Sequence, residues 1–415
     1  MNIFKTNYKS RKLIFLFFYI IISTNSYSQT VKILFDATKA EMAGNADWVI
    51  DADANDLGIN TNGKMIIGIG DEANPQGIPT PNQSGITTST SETYWTGALS
   101  SWAVDCAKQN YRVESLPFND SITYGNAIHT KDLMHYNIFV VCEPNILFSS
   151  SEKNAIVKFV KDGGRLFIIA DHDMSDRNGD GYDSPTIWNN LFSTNTIQTN
   201  PFGVTFDLQN YDELTTNVAN LPNDSCLHGS FGNITKMELF GATTLTIDNS
   251  ANSTTKGLVY RGSVSNTGTT GIYFARAYFG LGKVCILTDS SPPDDGTGDA
   301  NDVLYNGYTG DASGQHQWLL MNATIWLAHN SFVLANSQVD QQVTFKIYPN
   351  PSNGSVHIET NSDSPNELEI FDLIGRNVYQ NKFFQHIEIP NLDVGNWVFR
   401  IKNDKQYLTK LIVIR

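Results

Sequence analysis

The sequence predicts an α/β protein with a mostly parallel sheet and flanking helices, followed by a small all-β sandwich. Two observations support this prediction. Short apolar runs alternate with helix-like stretches over residues 31–327, which is typical of a parallel α/β sheet. From residue 345 onward, short strand-like segments are instead divided by Asn, Gly, Pro and Asp turns. The 415 residues, 40% of them hydrophobic, can form two or three packed domains.

Residues 1–29 are interpreted as a secretory signal peptide. A basic start precedes the apolar run 13–22, and small and polar residues follow it. The alternative is a membrane anchor, but about ten apolar residues fall well short of the roughly 20 that span a bilayer. We therefore expect a secreted or cell-surface protein that passes through the periplasm and has no membrane span.

The chain is acidic, with 42 Asp and Glu residues against 28 Lys and Arg and a formal charge of −14. Removal of the signal peptide takes away four cations and leaves −18, since that segment contains no Asp or Glu. The resulting field repels phosphate, so binding to nucleic acid is not expected. The surplus negative charge belongs to the first domain, because Lys and Arg balance Asp and Glu from residue 345 onward.

The first domain is predicted to cover residues 30–329. Helix 150–161 has a serine cap and is followed by two glycines, and the strands on either side of it form a strand–helix–strand unit. Residues 200–275 are predicted to hold β-structure and loops. The central strands are predicted at 31–35, 111–117, 136–142, 165–170 and 282–288, and the helices at 91–110, 150–161 and 316–327.

A polar linker is predicted at 330–344 and a second domain at 345–415. The order and spacing of its motifs resemble the type A sorting domain of the type IX secretion system of Bacteroidetes. This resemblance implies passage across the outer membrane, with the type IX machinery as partner, and then release or surface attachment. The alternative is a carbohydrate-binding sandwich appended to an enzyme. The motifs are YPNPSNG at 348–354, LEIFDLIGR at 368–376, LDVGNW at 392–397 and KLIVIR at 410–415.

Acidic residues follow several of the predicted strands, and the ligand site of an open parallel sheet lies beyond the carboxyl ends of its strands. Two carboxylates about 4 Å apart repel by roughly 4 kcal/mol at an effective dielectric constant of about 20. Arg177 is the only Lys or Arg within 171–183, so we expect compensation by a metal ion or by protonation rather than by cations of the same loops. Either arrangement is typical of hydrolytic sites, although acidic loops can also be merely solvated. The predicted catalytic residues are Asp36, Glu143, Asp171, His172 and Asp289.

The loop that follows has the spacing D-x-N-x-D-G, in which oxygen side chains surround a hard cation. It predicts structural calcium bound by Asp176, Asn178 and Asp180, with Asp183 as a fourth ligand. Ile187 occupies loop position 12, so the loop is not a complete EF-hand. The alternative is a metal-free loop of Asx-turns. A second divalent metal would sit at the carboxylate cluster.

The run 136–172, the segment TDSS at 288–291 and the segment NATIWL at 322–327 resemble the class I glutamine amidotransferase-like superfamily. More narrowly, the first domain is similar to trehalose-utilisation-protein-like and related secreted members. The resemblance implies a flavodoxin-like sheet with its site at the strand ends. Amidotransferase members place a cysteine where this chain has Ala170-Asp171-His172, so the resemblance does not extend to glutamine amidotransferase activity.

Together these features predict a secreted protein with a metal-assisted hydrolase site, acting on an extracellular polysaccharide or ester. The alternative is a non-catalytic, calcium-stabilised carbohydrate-binding or adhesion module. That module would stack sugars on Tyr94, Trp95, Tyr305 and Tyr308. The four cysteines, Cys106, Cys142, Cys226 and Cys285, allow three full disulfide pairings, and the sequence does not choose among them.

Overall fold

A computed structural model describes residues 30–43, 46–51, 78–118, 120–298, 305–329, 345–360, 366–402 and 407–415. The chain divides into two units, Met1–Asn330 and Ser331–Arg415. The predicted signal peptide and the predicted linker lie outside the described residues. None of the helices in these ranges is both long and apolar enough to cross a membrane.

The described part of the first unit contains thirteen strands and four α-helices. The strands are β1 Lys32–Asp36, β2 Met42–Ala43, β3 Ala46–Asp47, β4 Arg112–Leu116, β5 Ile138–Cys142, β6 Arg165–Ile169, β7 Val204–Thr215, β8 His228–Gly229, β9 Gly232–Asn233, β10 Met237–Ile247, β11 Lys256–Tyr260, β12 Ile272–Phe279 and β13 Gly282–Leu287. The helices are α1 Ser100–Lys108, α2 Ser150–Lys161, α3 Ser184–Thr194 and α4 His316–Ala328.

One large sheet forms the centre of this unit. Its strand order is β4-β1-β5-β6-β13-β12-β10-β7, and β11 pairs with β12. The five strands from β4 to β13 in this order are parallel, whereas β12, β10, β7 and β11 add to them in antiparallel fashion. Strands β5 and β13 are buried along their whole length, as expected of parallel strands covered on both faces. The predicted α/β fold is confirmed.

Helix α1 is shorter than the predicted helix at 91–110. A 3-10 helix covers Glu92–Tyr94, and the chain becomes α-helical only at Ser100. The interruption is at Gly97, whose φ is +145° and whose added Cβ would lie 2.7 Å from the carbonyl oxygen of Val49. A residue with a side chain would not fit this close approach, so the backbone contact overrides the helical spacing of the apolar residues.

The second unit is all-β. Its described strands form a sheet of three and a sheet of four, and residues of both sheets share one hydrophobic cluster that includes Ile358, Leu368 and Phe399. This arrangement agrees with the predicted small sandwich. The strands are β14 Phe345–Tyr348, β15 Val356–Thr360, β16 Asn366–Phe371, β17 Asn377–Phe383, β18 His386–Ile389, β19 Gly395–Lys402 and β20 Tyr407–Ile414.

Candidate active site

The carboxyl ends of three neighbouring strands, β5, β6 and β13, each lead directly into an acidic residue. Glu143 follows β5, Asp171 comes two residues after β6, and Asp289 comes two residues after β13. All three side chains are buried. The charge of Asp171 acts on both Glu143 and Asp289, so the sheet brings the three carboxyl groups close to one another. Such a cluster needs a counter-charge or protons.

Arg177 supplies the counter-charge. Its Nε and Nη2 atoms donate to Glu143 Oε1 at 3.0 and 2.9 Å, and Nη2 also donates to Asp171 Oδ2 at 3.0 Å. The expectation that cations of these loops do not compensate the acids is therefore wrong. Asn178 Nδ2 donates to the carbonyl oxygen of Asn145 at 2.8 Å, which ties the loop to the segment after β5 and carries the neighbouring Arg177 to the strand ends.

The carboxyl group of Glu143 accepts four hydrogen bonds. Beside the two from Arg177, its Oε2 atom accepts from Trp48 Nε1 at 2.9 Å and from Ser290 Oγ at 2.8 Å. Burial and the charge of Asp171 raise the pKa of Glu143 to about 8, against the opposing effects of Arg177 and Ser290. Its φ is +49°, a left-handed conformation that non-glycine residues rarely adopt and that recurs at functional sites. Glu143 is thus an anchor at the centre of the cluster.

His172 is the most exposed member of this group, with 33% of its side chain accessible. Its Nδ1 lies 2.6 Å from Asp171 Oδ2. Because an ionised carboxylate only accepts hydrogen bonds, Nδ1 carries the proton and Nε2 of the neutral ring is left as a base. The bond to Asp171 raises the pKa of His172 above its ordinary value of 6.5, against the effect of burial. Burial alone would raise the pKa of Asp171, but His172 and Arg177 outweigh it and lower that pKa.

Asp289 holds a bulged segment of β10 beside the histidine. Its two carboxyl oxygens accept from the backbone N–H groups of Phe240 at 2.7 Å and Ser291 at 2.8 Å. The register of β10 shifts between Leu239 and Ala242, and the His172 side chain lies beside Gly241 at this shift. Burial, together with the charge of Asp171, raises the pKa of Asp289 to about 7.

Asp36 is the one predicted catalytic residue whose described partners lie outside this cluster. Its Oδ1 accepts from the backbone N–H of Thr38 at 3.2 Å, and its carboxyl group interacts with that of Glu41. Burial raises the pKa of Asp36, and burial and the nearby Asp36 charge raise the pKa of Glu41. The two form a buried carboxyl pair. Glu41 was not among the predicted site residues.

The predicted calcium loop is internally hydrogen-bonded. Asp176 accepts from the backbone N–H groups of Asp180 at 3.0 Å and Gly181 at 3.3 Å, and Asn178 Nδ2 donates to Asp180 Oδ2 at 3.0 Å. Asp183 has a different role here, because its two oxygens accept from the N–H groups of Thr186 and Met174 and cap α3. Within the described ranges, no three His, Cys, Asp or Glu side chains are placed to hold a metal ion.

Two of the four aromatic residues expected to stack on sugars are inaccessible. Trp95 and Tyr308 are only 5% and 1% exposed, and the Tyr308 hydroxyl donates to Asp105 Oδ2 at 2.9 Å. Their predicted role in sugar stacking is therefore wrong, because a ring in the core has no free face. Tyr94 is 50% exposed, and Tyr305 packs edge-on against Phe240 with its ring centre 4.8 Å away.

Comparison with known proteins decides the nature of the second unit. Residues 346–415 match the family described as the secretion system C-terminal sorting domain. The predicted sorting domain is confirmed. It marks the protein for export by the type IX system, and so for secretion or surface attachment. No curated protein matches the chain.

Several solved structures are similar to this chain at low identity. The mmIFT52 N-terminal domain is 13% identical, with a TM-score of 0.40 over 73% of this chain and 100% of that one. A cytoplasmic protein from Salmonella typhimurium is 13% identical, with a TM-score of 0.37 over 55% and 86% of the two chains. A thua-like protein from Parabacteroides merdae ATCC 43184 is 10% identical, with a TM-score of 0.31 over 72% and 90%. Values this low say nothing about activity.

Proposed function

We propose that the first unit is a secreted hydrolase in which His172 is the general base and Arg177 stabilises negative charge on the substrate. The observation that carries the proposal is the continuous chain of contacts from His172 through Asp171 and Arg177 to Glu143. A partly exposed imidazole held by a buried carboxylate is the usual arrangement of a general base. Asp171, Glu143 and Asp289 are positioning residues, because they are buried and act through the groups they hold.

The proposed reaction begins with a water molecule beside His172. Nε2 removes one proton, and the hydroxide oxygen attacks the carbonyl carbon of an ester, which places negative charge on the carbonyl oxygen. Arg177 stabilises that charge, since its guanidinium is fixed before the reaction begins. The carbon–oxygen bond to the alcohol then breaks, and the leaving oxygen takes the proton from the His172 imidazolium. The products are a carboxylic acid and an alcohol.

The arginine favours esters over glycosides as the substrate class. Ester hydrolysis develops negative charge on oxygen in the transition state, whereas glycoside hydrolysis develops positive charge on the sugar ring. A guanidinium 20% exposed at the site stabilises the negative charge of ester hydrolysis and opposes the positive charge of glycoside hydrolysis.

The test is to offer the secreted protein nitrophenyl esters of short carboxylic acids and matched nitrophenyl glycosides. We expect turnover of the esters alone. Turnover of glycosides alone would overturn the ester assignment, and turnover of neither would overturn the hydrolase.

A divalent metal was the other predicted way to balance the acids. Both oxygens of Glu143 and one oxygen of Asp171 already accept hydrogen bonds, from Arg177, Trp48, Ser290 and His172. These are the atoms that a cation would use, and Arg177 occupies the space between them. The proposed steps therefore use no second metal.

The pH dependence of the reaction is expected to report His172. The base must be neutral, so kcat/KM should rise with pH through a limb above 6.5, because the bond to Asp171 raises the pKa of His172. Asp171→Asn removes the negative charge of the carboxylate beside His172, so it should move the rise in kcat/KM to lower pH. The measurement is kcat/KM for a nitrophenyl ester between about pH 5 and about pH 9. A limb in the same place in both proteins would contradict the role of His172.

We also propose that the loop 176–183 binds structural calcium through Asp176, Asn178 and Asp180. The D-x-N-x-D-G spacing supports this, together with the convergence of these side chains within one short loop. Asp183 is not proposed as a ligand, since it caps α3. The proposed calcium is structural and takes no part in hydrolysis.

Calcium is expected to raise the thermal midpoint of the protein. A ligand at about 100 times its Kd stabilises the folded state by about 2.7 kcal/mol. Asp180→Asn should abolish the increase, because it removes one negative charge from the loop. The measurement is Tm after EGTA treatment, with and without added calcium. Asp248→Asn is the matched control, since Asp248 also accepts two backbone N–H groups in a turn. An equal shift in both variants, or no shift in the parent protein, would contradict the proposal.

A further inference from the structure

Two of the four cysteines adjoin each other inside the first unit. Cys285 lies in the middle of β13, and Cys226 lies in the segment just before β8. Both are completely buried free thiols in the structure, and the Cys226 thiol forms a side-chain hydrogen bond with that of Cys285. The two residues come from distant parts of the chain, so this contact exists only because the segment before β8 folds back onto the sheet.

A buried ion pair fixes that segment in place. Asp224 Oδ2 accepts from Arg276 Nε at 2.7 Å and lies 2.6 Å from Arg276 Nη2. The other oxygen of Asp224 accepts from the backbone N–H of Cys226 at 3.0 Å. Arg276 is in turn the β12 residue that pairs with Cys285 on β13. Asp224 thus holds Cys226 over the strand pair that carries Cys285. Two thiols held in this way lose little conformational entropy when they form a bond.

We propose that Cys226 and Cys285 form a disulfide bond in the exported protein. The sorting domain sends the chain through the periplasm, where disulfides form and persist. In the reaction the two thiols lose two protons and two electrons and gain one sulfur–sulfur bond. The electrons reduce the disulfide of a protein thiol oxidant of that compartment to its dithiol by thiol–disulfide exchange. Because both sulfur atoms are buried in the folded unit, one thiol forms a mixed disulfide with the oxidant before the segment docks, and the second thiol displaces the reduced oxidant as docking brings the two cysteines together.

The other two cysteines have different surroundings. Burial and the Asp105 carboxylate raise the pKa of Cys106 well above its ordinary value. Burial and carboxylates, Glu143 and Asp171 first among them, do the same to the pKa of Cys142. Burial raises the pKa of Cys226 in the same way, so the pKa does not distinguish the bonding cysteines from the others. Geometry does, because Cys142 and Cys285 stand on strands that have β6 between them, about 9–10 Å apart and beyond the reach of a disulfide. The expectation of one bridge rather than two therefore rests on the contact between Cys226 and Cys285.

The test is to count and map thiols in the protein recovered from the culture medium. The protein is denatured in the presence of N-ethylmaleimide, with and without prior reduction, and digested for mass spectrometry. We expect label on Cys106 and Cys142 alone before reduction, label on all four cysteines after it, and a linked peptide pair containing Cys226 and Cys285. Label on all four without reduction, or a bridge that includes Cys106 or Cys142, would overturn the proposal.

Two variants separate the bridge from general effects of cysteine replacement. Cys226→Ser should expose Cys285 to label without reduction, and its Tm should not respond to reductant. Cys106→Ser is the matched control, a buried cysteine outside the pair, and should keep the bridge and a Tm that falls on reduction. If Cys226→Ser fails to fold, the peptide map of the parent protein still decides the question. The result does not depend on the proposed hydrolase activity.

Discussion

His172→Ala is expected to lower kcat/KM for ester hydrolysis by about 10²-fold to 10⁴-fold, the usual contribution of a general base. The His172 ring is the partly exposed imidazole among the residues that contact Asp171 and Arg177, and Asp171 fixes its proton on Nδ1. Its loss removes the acceptor for the proton of water but leaves the Arg177 ion pairs in place. The fold should therefore be retained, which circular dichroism and the thermal midpoint can check.

The matched control for this variant is His228→Ala. His228 is also an exposed histidine of the first unit, and its Nδ1 lies 3.2 Å from Asn233 Oδ1 rather than from a carboxylate. We expect its kcat/KM to equal that of the parent protein. If the two alanine variants retain equal activity, His172 is not the base and the proposed reaction fails, whatever else the site does.

The second large effect is expected on stability. Arg177→Met should lower the free energy of unfolding by about 3–5 kcal/mol near neutral pH, because it leaves the ionised Asp171 buried without the arginine that balances its charge. Arg177 helps to lower the pKa of Asp171, so its contribution is present above the ordinary pKa of 3.8 and is lost as the pH falls through the folded-state value. The difference between variant and parent should therefore shrink in acid. Urea unfolding followed from about pH 7 down to about pH 2 measures both quantities.

Lys158→Met is the matched control for charge removal. Lys158 pairs with Asp162 one helical turn away in α2, and both side chains are exposed to water. Water and salt screen such a pair, so its removal should change the free energy of unfolding little. An Arg177→Met protein no less stable than Lys158→Met would show that Arg177 does not balance the buried acids. Arg177→Lys should recover only part of the loss, since one ammonium cannot bridge both carboxylates as a guanidinium does.

Local signals predicted the parallel core well. Helix α2 begins and ends where its cap residues indicate, because Ser149 and Glu152 form a reciprocal capping box and Gly163 follows with φ of +117°. Helix α3 was not predicted, although Asp183 before Ser184-Pro185 is a start signal of the same kind. The metal-binding interpretation of Asp183 concealed its role as a cap.

The site was only partly predictable, for a physical reason. Glu143, Asp171 and Asp289 each follow a parallel strand that its apolar run reveals, and the ends of parallel strands meet at one edge of the sheet. The role of Arg177 depends on the path of a loop, and the burial of Trp95 depends on packing between distant segments. Neither leaves a local pattern. The lone arginine among the acids of 171–183 was the available signal, and it was discounted because sequence spacing does not show how a loop folds back.

The bulge of β10 has a consequence for how this protein can diversify. The proposed base and Asp171 follow the parallel strand β6, whereas the surface beside His172 includes Gly241 of the antiparallel strand β10. The reactive groups and the wall that would select a substrate are therefore encoded in separate stretches of the gene. Insertions or exchanges in the hairpins could redirect the protein to new compounds and leave its proton chemistry unaltered.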